Sequence, residues 1–140
     1  MFESFILIAM TYLIVKHYVL DFTCLQTPWM YLNKSTYGHP GGIVHSLLHA
    51  VVSAPIFLWC ATWVSWWPEA MWHGLTELQL IGALITFEFF VHYHMDWFKV
   101  WFQTRKGWQP HTHPQYWNLL GVDQLVHYLT YVAMITAWTV

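Results

Sequence analysis

Four pairs of ionisable residues stand four apart in the chain: His17 and Asp21, His45 and His49, His92 and Asp96, Asp123 and His127. On a helix, residues at that spacing share one face, about one turn apart. Each pair therefore offers two ligands from a single helical stripe. One such pair alone reads as a hydrogen-bonded packing device or a helix-end feature. Four of them take three of the chain's seven acids and five of its ten histidines. Burying such groups in an apolar bundle costs several kcal/mol unless they are paired or metal-bound. Inward-facing helices that supply imidazole and carboxylate are how bundles build dinuclear centres, although those mostly use Glu-x-x-His at i, i+3. Mixed His/Asp ligation suits zinc first, then manganese or iron, over calcium or cuprous ion. Eight ligands exceed the needs of one ion, so two divalent ions are expected.

Other polar residues lie near the same level. Glu88, His92, Asp96 and Lys99 form one stripe, in which Glu88 orients an imidazole and Lys99 neutralises a carboxylate or substrate charge. Lys34, Gln124 and Gln26 fall nearby. With Glu88 and Lys99, Lys34 and Gln124 are the candidates for catalysis; the competing reading is that they snorkel or cap loops at the interface. His111 and His113 read as an exposed loop, and Asn33, His39, His73 and His94 carry no independent signal. Cys24 and Cys60 read as free packing thiols.

The elements that position these residues must be membrane helices. The 140 residues suit one domain, and they are 57% hydrophobic and 20% aromatic but only 9% charged, against roughly 25% in ordinary soluble domains. Disorder, a disulfide-stapled secreted fold and nucleic-acid binding are excluded by that apolarity, two distant cysteines, and five Lys+Arg against seven Asp+Glu. Four apolar stretches, at about 2–21, 43–66, 78–97 and 119–138, have the length of bilayer spans. They lack strict alternation, and helices alone satisfy their own backbone in lipid, so an all-α bundle of four transmembrane helices is expected. Glu3 stands where a signal peptide would be basic, so the first stretch is read as a retained span.

Lys16 and Lys34 fall at the first connection and Lys99, Arg105 and Lys106 at the third, while Glu69 and Glu77 fall in the second. The positive-inside tendency then puts connections one and three in the cytoplasm and both termini on the other side of a bacterial inner membrane. Trp63, Trp66, Trp67 and Trp72 surround one connection and Trp97, Trp101, Trp108 and Trp117 another, as aromatic belts do. The segment 97–117, with basic residues among aromatics, is expected to lie partly flat on the headgroups.

His17-Tyr18-x-x-Asp21-Phe22 and His92-Tyr93-x-x-Asp96-Trp97 repeat one motif, and each is followed by a second pair near the start of the next span. Two hairpins, about 1–67 and 68–140, are thus related by an axis along the membrane normal. Antiparallel hairpins bring all four pairs to one depth, toward the cytoplasmic leaflet.

The residues His17, Asp21, Phe22, Leu25, Gln26, Lys34, His45, His92, Asp96, Lys99, Asp123, Gln124 and His127 give a pattern covering nearly the whole chain. It resembles the family of small polytopic bacterial and phage membrane proteins catalogued as domain-of-unknown-function 3307. Asp-Phe-x-x-Leu-Gln followed by Lys, with Asp-Gln-x-x-His near the end, carries the resemblance. It implies shared polar positions but no activity.

Three functions are open. The first is a metal-dependent hydrolase acting on a lipid or membrane-tethered ester or phosphoester, with Asp21, His45, His49, His92, Asp96, Asp123 and His127 as ligands and His17 as ligand or base. The second is a di-iron oxidase or hydroxylase, although the His-x-x-His-His box of membrane desaturases is absent. The third is non-enzymatic: an ion or proton path, lined within one chain or between subunits of a homo-oligomer, or a structural metal that fixes the bundle for a partner.

Overall fold

The computed structural model describes residues 2–64 and 75–139. Among them the chain forms five helices: α1 (Phe2–Phe22), α2 (Pro28–Tyr31), α3 (Pro40–Val64), α4 (Glu77–Lys106) and α5 (Pro114–Thr139). The four long helices form a closed ring in which α1 packs on α3 and α5, and α4 packs on the same two. The short α2 lies against α3. The expected repeat junction at 67/68 and the residues Trp66, Trp67, Glu69, Trp72 and His73 lie outside the described residues, as does the Trp63 side chain.

Local sequence explains the helix ends. Thr76 accepts from the Gln79 backbone N–H while the Gln79 side chain accepts from the Thr76 N–H, a reciprocal cap for the start of α4. Gly107 closes the same helix at φ 66°, a left-handed position that suits glycine. Pro28, Pro40 and Pro114 open α2, α3 and α5, where a missing N–H costs nothing. Residues 97–106 of the aromatic and basic segment continue α4 as regular helix to Lys106. Good helix formers and the Gly107 cap carry the helix past the aromatic run.

Among the described residues two helices, α1 over Glu3–Phe22 and α3 over Pro40–Thr62, are long and apolar enough to cross a membrane. The expected four are not met by this measure. The reason lies in composition: α4 carries Glu77, Glu88, Asp96, Lys99, Arg105 and Lys106, and α5 carries Asn118, Asp123, Gln124 and His127. The outer face of the ring is nevertheless apolar, and its interior holds charged groups beside an apolar cluster. Leu7, Leu47, Leu78, Phe90, Leu125 and Leu129 are exposed, while Lys16, Lys34, Glu88, Asp96, Asp123 and five histidines are buried.

One end of the interior is sealed by an apolar cluster that includes Leu13, Phe57, Leu84 and Met134. The polar residues occupy the other end. Lys16 and Lys34 point into the bundle and are buried, not solvated at the first connection. That removes two basic residues from the orientation argument. Lys99 also turns inward, so Arg105 and Lys106 are the exposed basic residues of the third connection. Cys60 is buried as expected, whereas Cys24 is exposed and packs into no core.

Candidate metal centre

All four pairs face the same interior. His17 and Asp21 come from the last turns of α1, His45 and His49 from the second and third turns of α3. His92 and Asp96 come from the middle of α4, and Asp123 and His127 from α5. The imidazoles stack into one cluster: ring centroids are 3.8 Å apart for His49 and His92, 4.2 Å for His92 and His127, 4.7 Å for His45 and His49, and 4.8 Å for His17 and His127. Helical spacing put each pair on one face, and the antiparallel ring put the faces level.

Within this cluster two ligand groups stand out. Asp21, His45, His49 and His92 form one, and His92, Asp96 and His127 the other; in each group one ligand atom per residue lies within 4.8 Å of all the rest. His92 belongs to both. The His45 Nε2 atom is central: it lies 2.8 Å from Asp21 Oδ1, 3.2 Å from Asp96 Oδ2 and 3.1 Å from His92 Nε2.

The remaining two expected ligands are otherwise engaged. His17 Nε2 is 3.1 Å from Gln124 Oε1 and 3.2 Å from Asp21 Oδ2, and its Nδ1 is 3.1 Å from the Tyr131 hydroxyl. Two acceptors at Nε2 require the proton there, so Nδ1 accepts from Tyr131. With both ring nitrogens used, His17 orients Asp21. Asp123 accepts from Lys99 Nζ (2.7 Å) and from Gln124 Nε2 (3.0 Å), and its backbone carbonyl fixes the His127 ring through Nδ1 (2.7 Å). That bond leaves His127 Nε2 directed into the cluster.

Three lysines interpenetrate the layer. Lys34, from the segment after α2, reaches Asp96 Oδ2 at 2.5 Å, His45 Nε2 at 3.0 Å and Asp21 Oδ1 at 3.6 Å. Gln26, with its amide oriented to suit both neighbours, accepts from Lys34 Nζ at 2.9 Å and donates to the Asp21 carbonyl at 3.2 Å. Lys99 bridges Asp96 (3.1 Å) and Asp123 (2.7 Å). The two carboxylates offset the burial of the Lys99 ammonium. Lys16 pairs with Glu88 and donates to Ser53 (2.9 Å) and the His49 carbonyl (3.0 Å). Glu88 therefore neutralises Lys16 and does not orient an imidazole as expected. It stands one turn before His92, on the side of the apolar seal.

The donor set fits a divalent cation on its own chemistry. Both nitrogens of His49, His92 Nδ1, His127 Nε2 and Asp123 Oδ1 are buried without a hydrogen-bond partner. Each such atom costs roughly 1–3 kcal/mol while unpaired; one His49 nitrogen carries the ring proton, while the other, His127 Nε2 and Asp123 Oδ1 present lone pairs. A cation is what several converging lone pairs have in common. Asp21, Gln26, Lys99 and Gln124 are the partly exposed members of the layer, and they mark its mouth.

Known proteins add nothing to this geometry. The chain matches no family model, no curated protein and no solved structure. Tyr131, Ser53 and Lys16 are the members of the site that spacing did not single out. Tyr131 and Ser53 carried a legible signal, each four residues beyond a candidate ligand, His127 on α5 and His49 on α3.

Proposed function

We propose that the chain is a multi-pass membrane protein whose polar layer binds divalent metal and hydrolyses an ester or phosphoester at the cytoplasmic leaflet. The observation that carries this reading is the pair of ligand groups joined at His92, inside a bundle whose outer face is apolar. In an apolar surround, four helices with outward Leu, Val and Phe and inward His and Asp form a stable span set even where two of them are too polar by composition. Arg105 and Lys106 support a cytoplasmic mouth and termini on the far side.

Zinc is the expected metal, with manganese or iron as substitutes. Bound at such a site, a divalent ion acidifies water and clamps an anionic oxygen. Asp21, His45, His49, His92, Asp96 and His127 would hold it, with His17 fixing Asp21, Gln124 fixing His17 and Lys99 fixing Asp96. In the reaction, a water oxygen bonds to the acyl carbon or phosphorus and the bond to the ester oxygen breaks. The water proton would pass to Asp123 Oδ1, a buried carboxylate atom without a hydrogen-bond partner, and from there to the leaving alkoxide.

The layer extends one turn beyond the ligands through Lys16, Glu88 and Ser53, which favours a proton path as a second reading. The path ends at the apolar seal of Leu13, Phe57, Leu84 and Met134, so hydrolysis is the stronger reading. Elemental analysis of protein purified in detergent without chelator tests the metal: at least one ion per chain is expected. Stoichiometric iron with oxygen consumption would replace hydrolysis by oxidation, and the lack of any ion would end both enzymatic readings.

A further inference from the structure

We infer that the layer takes a phosphoryl anion together with its second metal ion, the anion entering between Lys99 and Gln124. The inference rests on the metal-dependent reading above and names the charge of its substrate.

The charge balance of the interior carries it. Asp21, Glu88, Asp96 and Asp123 bring four carboxylates, and Lys16, Lys34 and Lys99 bring three ammonium groups, all with side chains at most 12% exposed. With neutral imidazoles the balance is a single negative charge. One divalent ion turns it to a single positive charge, and two ions turn it to three. Such an excess is costly in a low-dielectric bundle. A glyceride or other neutral ester brings nothing to offset it. A phosphate monoester brings about two negative charges at neutral pH, with several strong acceptor oxygens.

Lys34 supplies the second observation. Its ammonium stands among the ligand atoms, on His45 Nε2 and Asp96 Oδ2. An ion bound by Asp21, His45, His49 and His92 takes the His45 nitrogen from that ammonium, which leaves Lys34 with a donor for an anionic oxygen. Lys99, bridging Asp96 and Asp123 at the partly exposed mouth, offers another. The two ligand groups share His92, and a ring nitrogen serves one ion, so a second ion beside Asp96 and His127 would lack a ligand that an anionic oxygen could supply.

The test uses the full chain in detergent, loaded with zinc, freed of excess ion by gel filtration, and analysed for metal and phosphorus per chain. Separate arms contain no addition, inorganic phosphate, a soluble short-chain phosphatidate, or an uncharged short-chain diacylglycerol. One ion is expected alone and with diacylglycerol; two ions and one phosphorus are expected with either phosphoryl compound. Response to both compounds identifies the phosphoryl group itself as the ligand. Response to phosphatidate alone identifies a lipid-borne one, and also upholds the inference. Lys99→Gln should weaken phosphate binding about tenfold. Two ions without any anion, or a single ion unchanged by both phosphoryl compounds, overturns the inference and leaves the metal reading standing. No ion in any arm removes both.

Discussion

Lys34 Nζ and Asp96 Oδ2 are in contact at 2.5 Å across 62 residues of chain, and the same ammonium touches His45, a ligand of the candidate centre. A lysine thus occupies the position where a cation is wanted. Removing one partner of a buried pair typically costs about 3–5 kcal/mol. Lys34→Met is expected to lower the melting temperature of metal-free protein clearly, and added zinc should recover more stability in the variant than in wild type. Thermal scans in detergent with and without zinc check this; equal zinc gains in both proteins would contradict it.

His92 belongs to both ligand groups. His92→Ala should therefore bring metal content close to zero, whereas His49→Ala and His127→Ala each disable one group and leave the other. Metal per chain, counted on folded protein that elutes as wild type, distinguishes shared from separate ligation.

Lys16 and Glu88 neutralise each other on the side of the layer toward the apolar seal. Lys16→Met or Glu88→Leu alone strands a buried charge and should cost about 3–5 kcal/mol, while the double variant should be close to neutral. A double-mutant cycle from denaturant unfolding measures the coupling. Metal content of the double variant should equal that of wild type, because neither residue belongs to the ligand groups.

Gly41 sits where a Cβ would come within 2.5 Å of the Trp29 carbonyl oxygen. Gly41→Ala should push α2 and its following segment away from α3 at a cost of about 1–3 kcal/mol. Because that segment carries Lys34, the variant should also change zinc affinity. Calorimetric titration reads that change, and an unaltered affinity in a destabilised protein would separate the segment from the centre.

Helical spacing made the convergence of His17, His45, His49, His92 and His127 legible, since a period of four fixes the face and the alternation of helix direction fixes the level. Long apolar runs likewise located α1 and α3. Lysine direction was not legible. A lysine near the end of an apolar run reads as a solvated charge, and it is Glu88 on α4, with Ser53 and the His49 carbonyl on α3, that turns Lys16 inward. Lys34 lies outside every long helix, so no periodicity could aim it at Asp96. The extent of α4 was hidden for another reason: its aromatic and basic tail resembles an interfacial segment, and the Gly107 stop signal lies beyond it.

The side chains of Leu13, Phe57, Leu84 and Met134 fill one end of the interior, while Lys99 and Gln124 are partly exposed at the other. On the proposed reading, anything that bound at His92 would have to come and go past that one end.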